Sequence, residues 1–225
     1  MKKWPLNNLL WLACLIIGLC CCTQHSLTHT PPSVKKVDYY TCYFKNLSTT
    51  YDLNLKVTKF KKFDGLQDSC LVRLILIDKT AQIQVDSLHF SAILFLNETY
   101  EDCNEVLSYT TSQNINKEIV DNMYGDIVVA DLNFDGLEDI AMLNDNGGNG
   151  GPYYSFYLQG NNQKFKKSQY LTDFVAFFPS KINPNTKTLT TYAHAGACFL
   201  GKRVFHLEKN KAWKKQSQRL IDVCK

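Results

Sequence analysis

Charged residues, glycine and proline are all scarce in this chain. Of its 225 residues, 20% are charged, 11 are glycine and 6 are proline, while 45% are hydrophobic. A disordered chain needs the opposite balance, and collagen-like or coiled-coil chains need a sequence repeat that is missing here. The net charge is only +4, and it falls to +2 without Lys2 and Lys3, which lie in a segment that we expect to be removed. Nucleic-acid binding therefore has no electrostatic basis, and nothing in the composition requires an enzyme.

A long apolar run is also missing. The longest one covers residues 9–22, and its 14 residues are fewer than the roughly 20 that a transmembrane helix needs. Its length, and the lysines before it, are typical of a secretory signal. We therefore expect the chain to be exported, and we do not expect it to be a polytopic membrane protein.

The cysteines of this run indicate how the signal ends. Four of the nine cysteines lie in it, namely Cys14, Cys20, Cys21 and Cys22. The segment resembles a bacterial lipoprotein signal, in which a cysteine thiol receives the anchoring lipid. Leu19 has the aliphatic place three residues before Cys22, so we predict lipidation at Cys22, with Cys21 or Cys20 as alternatives. An ordinary signal cut after the cluster is the competing interpretation. The resemblance implies a lipid-anchored protein of the bacterial cell envelope, facing the periplasm or the cell surface.

Residues 1–22 are thus the predicted signal segment, and the next segment is polar. Residues 23–37 include Pro31 and Pro32, which is typical of a flexible tether. No further linker is evident, so we predict one folded domain at 38–225, outside the cytoplasm, where disulfides can form.

The domain itself is predicted to be built from strands. Tyr51, Leu53, Leu55 and Val57 alternate with polar residues, which is the period of a half-buried strand. Only residues 116–123 look helical. The other predicted strands are 70–77, 81–90, 92–96, 126–130, 140–143, 153–158, 171–178, 189–194 and 203–207. This pattern predicts a single all-β domain of antiparallel strands with at most one short helix.

One motif points to a metal. Oxygen-bearing side chains recur at positions 1, 3, 5 and 9 of a loop between two apolar segments; they are Asp131, Asn133, Asp135 and Asp139. Calcium takes about six to eight oxygen ligands. Gly136, at position 6, permits a sharp turn, and the carbonyl of Leu137 can supply position 7. We predict a calcium site formed by Asp131, Asn133, Asp135, Leu137 and Asp139.

The loop is not an EF-hand. Position 12 of an EF-hand is a bidentate Glu, and here it is Met142; strand-like segments replace the flanking helices. A metal-free surface turn is the alternative interpretation. We expect the calcium to be structural, because it would neutralise crowded carboxylates and fix the loop.

A glycine-rich stretch follows and is the best candidate for a binding surface. Small side chains leave backbone donors accessible there, and tyrosines give contact area with little loss of entropy. The candidate partner-binding residues are Asn146, Gly147, Gly148, Gly150, Gly151, Tyr153 and Tyr154. The alternative is a long connection with turn glycines.

Five cysteines lie beyond the signal, which allows two disulfides and one spare thiol. We predict a bridge between Cys198 and Cys224, and more weakly one between Cys70 and Cys103. A nucleophile formed by Cys198 and His194 is disfavoured, because a cysteine at a strand end is more often a bridge.

The calcium loop with its flanking strands resembles the loops of FG-GAP and VCBS-type β-propeller repeats. An upstream strand pair, predicted as a hairpin at 71–90, precedes this loop, and the stretch Gly147 to Tyr154 follows it. This order of segments resembles a family of propeller-like periplasmic lipoproteins. That family includes an immunity protein that inhibits the lysozyme-like domain of a Xanthomonas type IV secretion effector. The similarity covers residues 51–215.

The resemblance implies a β-propeller-like, calcium-binding domain without enzymatic activity. It also implies a protein partner, in its sharpest form a lysozyme-like peptidoglycan hydrolase that the domain inhibits. An adhesion or carbohydrate-binding module of the FG-GAP kind, at the cell surface, is the alternative function. An enzyme using a metal at the calcium loop is a third.

Overall fold

A computed structural model describes residues 35–61, 68–94, 100, 103, 108–110, 125–145 and 147–225. The chain divides into two units after Pro31, and all described residues belong to the second unit. The predicted signal with Cys22, the predicted helix at 116–123 and Asn146 lie outside the described residues. Within the described part of the chain, no helix has the length and apolar character that crossing a bilayer requires.

Thirteen strands account for most of the described residues. The strands are β1 Lys35–Phe44, β2 Tyr51–Lys61, β3 Asp68–Asp78, β4 Gln84–Leu94, β5 Ser108–Thr110, β6 Ile127–Ala130, β7 Asp139–Asp145, β8 Tyr153–Gln159, β9 Phe165–Lys167, β10 Lys181–Asn183, β11 Thr188–His194, β12 Phe199–Leu207 and β13 Trp213–Asp222. Two single helical turns interrupt them, a 3₁₀ turn at Gly148–Gly150 and a π-helical turn at Leu171–Val175. The prediction of an all-β fold of antiparallel strands with almost no helix is confirmed.

The strands form three antiparallel groups of four consecutive strands. β1 to β4 pair in order, as do β6 to β9 and β10 to β13. One parallel residue pair, Ile93 with Asp145, joins the first two groups into a nine-stranded sheet, and β5 adds to β6 in parallel. β10 to β13 form a separate four-stranded sheet.

The composition of the core follows from the alternation of apolar and polar residues in the sequence. Along β2, Tyr51, Leu53, Leu55 and Val57 are buried, and the residues between them are partly exposed. All four residues of β6 and the first five of β7 are buried, so both faces of these strand segments are covered. Each fully buried Leu or Val contributes roughly 1.5–3 kcal/mol through removal of apolar surface from water. This packing gives the loop between β6 and β7 a rigid base.

The predicted strand at 171–178 is wrong. Its first five residues form the π-helical turn, in which Leu171 and Val175 are fully buried while Phe174 is 60% exposed. A strand would place Asp173 on the same face as Leu171 and Val175, but Asp173 is exposed. The apolar run therefore packs in the core with helical rather than strand geometry. The turn ends at Ala176, which has a positive φ of 61°.

Several strand boundaries also differ from the sequence-based expectation, among them those of β1 and β4. β1 begins at Lys35, inside the last residues of the predicted tether. The predicted segments 81–90 and 92–96 form one strand, β4, which starts only at Gln84. The preceding turn is longer than expected because Asp78 accepts hydrogen bonds from the backbone N–H groups of Thr80 and Ala81 at 2.8 Å.

Two disulfides are present among the described residues. Cys198 is bonded to Cys224, the pair favoured from the sequence, with Cα atoms 5.1 Å apart. Cys103 is bonded to Cys42, so the weaker prediction that it pairs with Cys70 is wrong. Cys70 is a buried free thiol on β3, and burial raises its pKa to about 11. Such a thiol is unreactive near neutral pH.

Candidate functional site

The predicted calcium loop connects β6 to β7, and apolar side chains fix it at two points. Leu132 is fully buried in the core. Phe134, with a positive φ of 61°, packs its ring against Trp213 at the start of β13, with the centroids 6.2 Å apart. The loop is therefore anchored to both sheets.

Its polar side chains turn back on its own backbone. Asp131 accepts hydrogen bonds from the N–H groups of Asp135 at 3.1 Å and Gly136 at 2.9 Å. Asn133 Oδ1 accepts from the same Asp135 N–H at 3.0 Å. Asp131 and Asn133 thus direct oxygens toward the same point of the loop. Gly136 has a φ of 86°, which a side chain would oppose.

Asp139 is the most unusual residue of the loop, because its carboxylate is fully buried. Oδ2 accepts from Leu132 N–H at 2.9 Å and from Asn133 N–H at 3.3 Å, and Oδ1 accepts from Gln159 N–H at 2.9 Å. Burial raises its pKa to about 7, and the negative charges of Asp135 and Asp131 add to the effect. A cation placed here would stabilise the ionised form.

The donor chemistry of the loop suits a hard cation. Carboxylates of Asp131, Asp135 and Asp139, the amide oxygen of Asn133 and the carbonyl of Leu137 are all oxygen donors of the kind that calcium prefers. In the part of the chain that the structure describes, no three acidic, histidine or cysteine side chains form a ready-made metal site. The predicted set would depend on the amide and the carbonyl as well, and calcium binding stays a prediction.

One loop residue that the sequence did not single out joins the loop to another strand connection. Glu138 accepts hydrogen bonds from Ser48 Oγ at 2.5 Å and from both the N–H and the Oγ1 of Thr49 at 2.8 Å. Burial opposes its ionisation, but these hydrogen bonds outweigh burial and lower the pKa of the carboxyl. No local pattern reveals this contact, because the partners are about 90 residues apart in sequence.

Replacing Glu138 with alanine is expected to destabilise the domain. The change removes a charged acceptor and leaves the Ser48–Thr50 turn without it, so we expect the free energy of unfolding to fall by about 2 kcal/mol and the melting temperature by roughly 4–8 °C. Glu208→Ala, in the turn between β12 and β13, is the control and should change little. Equal melting curves for the two variants would show that the contact contributes nothing.

The glycine-rich loop is compact. Gly147 N–H donates to Asp145 Oδ1 at 2.8 Å, and Gly150 N–H donates to Gly147 O at 3.2 Å. A Cβ atom added at Gly147 would lie only 1.7 Å from the carbonyl oxygen of Gly151. Glycine is thus required at 147 by close packing as well as by its φ of 64°. Gly148 is exposed and has open space around it.

The two tyrosines after this loop have different environments. Tyr153 is 37% exposed and packs its ring on Phe177, with centroids 4.9 Å apart. Tyr154 is only 2% exposed, and its hydroxyl donates to Gly125 O at 2.7 Å. The prediction of Tyr154 as a partner-binding residue is therefore wrong, because its side chain belongs to the buried part of β8.

The calcium loop and the glycine-rich loop lie at opposite ends of β7. Asp139 is its first residue and Asp145 its last. Six residue steps of strand separate them by about 20 Å. A calcium ion at the first end would act on the glycine-rich loop only through the packing of β7.

Comparison of the chain with protein-family models, curated proteins and solved structures found no match.

Proposed function

We propose that this chain is a lipid-anchored, calcium-stabilised, non-enzymatic domain of the bacterial cell envelope that binds another protein. The observation that carries the proposal is the order of oxygen donors from Asp131 to Asp139 between the antiparallel strands β6 and β7, with the buried Asp139 carboxylate at its end. Calcium would compensate that carboxylate and the two beside it. The lipid would be carried by Cys22, and 23–34 would belong to the tether.

The proposed contact surface is the glycine-rich loop with Tyr153. The internal hydrogen bonds of the loop, and the packing of Tyr153 on Phe177, support a surface that loses little entropy on binding. Among the loop residues whose exposure the structure describes, Gly148 and Tyr153 are exposed. In the sharper form of the proposal, taken from the family resemblance, the partner is a lysozyme-like peptidoglycan hydrolase that the domain inhibits.

We also propose that the three antiparallel groups correspond to blades of a propeller-like domain. Each group has four consecutive strands, the number in a propeller blade. An experimental structure with the groups arranged around a common axis would test this point.

Inhibition is tested with the full-length chain in neutral detergent and a panel of lysozyme-fold hydrolases, with peptidoglycan hydrolysis as the readout. At least one enzyme should be inhibited, and Tyr153→Ala should weaken the inhibition by roughly tenfold or more, as expected for an aromatic anchor. Tyr43→Ala is the matched control, because Tyr43 is 70% exposed but lies on β1. Unchanged hydrolysis across the panel contradicts the inhibitor function, whereas calcium binding is tested separately by melting.

A further inference from the structure

The outer face of β1–β4, remote in sequence from the calcium loop, carries two opposed cations and a histidine. Lys56 on β2 lies directly opposite Arg73 on β3, and Arg73 lies directly opposite His89 on β4. Directly opposed residues have Cβ atoms about 4.5–5.5 Å apart, and like charges there destabilise a sheet. An anion bound between Lys56 and Arg73 would relieve this repulsion.

No protein anion fulfils that role in the described part of the chain. The next row along the strands consists of Tyr39, Thr58, Leu71 and Ser91. These two rows line an open groove of about 570 Å³, and none of the described residues that line it is acidic. A groove of this size is typical of small-molecule sites.

Arg73 is held in place within the groove. Its Nε donates to Ser87 Oγ at 3.0 Å, and the same Ser87 Oγ is hydrogen-bonded to His89 Nε2 at 2.8 Å. Ser87 thereby orients two neighbouring side chains on one face. The guanidinium keeps its terminal N–H groups for a planar anion such as a carboxylate or a phosphate.

The second row supplies a different chemistry. Tyr39 and Leu71 are each 52% exposed and offer apolar surface. The hydroxyl groups of Thr58 and Ser91 lie between and beside them. A sugar ring has the matching combination of an apolar face and hydroxyl groups at its edge, so the groove favours a saccharide over a simple ion.

We propose that this groove binds an acidic saccharide. Arg73 and Lys56 hold its carboxylate or phosphate group, and the sugar ring packs on Leu71 and Tyr39. The site shares no strand with the calcium loop or with the glycine-rich loop, and it goes beyond the protein-binding function.

Titration calorimetry on the full-length chain in neutral detergent tests the site. A trisaccharide of galacturonic acid and glucose 6-phosphate are the probes, and they distinguish a carboxylate from a phosphate as the source of charge. Maltotriose and glucose are the neutral controls. At least one acidic sugar should bind, and Arg73→Gln should weaken its binding by roughly tenfold or more, because charge-assisted hydrogen bonds are lost.

Arg219→Gln, an exposed arginine on β13, is the matched control and should leave binding unchanged. Lys56→Gln should weaken binding while the melting temperature stays constant or rises, because a like-charge contact is removed. Weaker binding without a lower melting temperature would show that the variant has lost the binding site and not its folded structure. The proposal is overturned if neither acidic sugar binds, if neutral sugars bind equally well, if inorganic phosphate binds as tightly as glucose 6-phosphate, or if Arg73→Gln has no effect.

Discussion

Removal of calcium is expected to lower the melting temperature of the chain by about 5–10 °C. A ligand that binds only the folded state stabilises it by about 2.7 kcal/mol at one hundred times its dissociation constant, and each kcal/mol shifts the melting temperature of a chain of this size by roughly 2–4 °C. The loss should arise at Asp131, Asp135 and Asp139, whose charges are no longer neutralised. Differential scanning calorimetry with calcium and with EGTA measures the shift.

Variants assign this shift to the loop. Asp135→Ala should abolish the difference between the calcium and EGTA curves, because an oxygen donor is removed. Asp173→Ala is the matched control, so the calcium shift should persist in it. Asp173 is an exposed aspartate outside the loop, and it accepts a hydrogen bond from Gln169 at 2.6 Å. A melting curve that does not respond to EGTA would contradict the proposal that calcium stabilises the domain.

Local sequence patterns were sufficient for the elements whose burial repeats with the period of a strand. The alternation from Tyr51 to Val57 predicts β2 and the face that it buries. The segment 171–178 has apolar residues in both registers, so its period was ambiguous; the structure uses the spacing of four between Leu171 and Val175. Tertiary packing decides such cases.

Contacts between residues that are far apart in the chain could not be predicted from the sequence. The contact of Glu138 with Ser48 and Thr49 depends on how two connections meet in the folded domain. Similarly, the pairing of Cys42 with Cys103 depends on which strands bring the thiols together, and spacing along the chain does not specify it. The motif at 131–139 could be identified because all of its donors are local.

The metal-free chain should lose stability as the pH rises from about 4 to 7. The pKa of Asp139 is about 7 in the folded state, because burial raises it above the ordinary aspartate value of 3.8. A group with a raised folded pKa contributes stability that is fully present below the unfolded pKa and is lost as the pH passes through the folded pKa. The loss should approach about 4 kcal/mol, since each pKa unit corresponds to about 1.36 kcal/mol.

Calcium should reverse this dependence, because the metal binds the ionised carboxylate and protons compete with it. Urea unfolding of calcium-stripped and calcium-saturated protein between pH 4 and 8 measures both slopes. Asp139→Asn should remove most of the slope of the metal-free profile and abolish the response to calcium. Asp126, whose pKa burial raises to about 6, adds a smaller slope of the same sign, and Asp126→Asn should remove only that slope. Below about pH 5 the lowered pKa of Glu138 has the opposite effect, so the test lies above that pH. Metal-free stability that rises between about pH 5 and 7 would contradict the buried, ionisable Asp139 on which the calcium site depends.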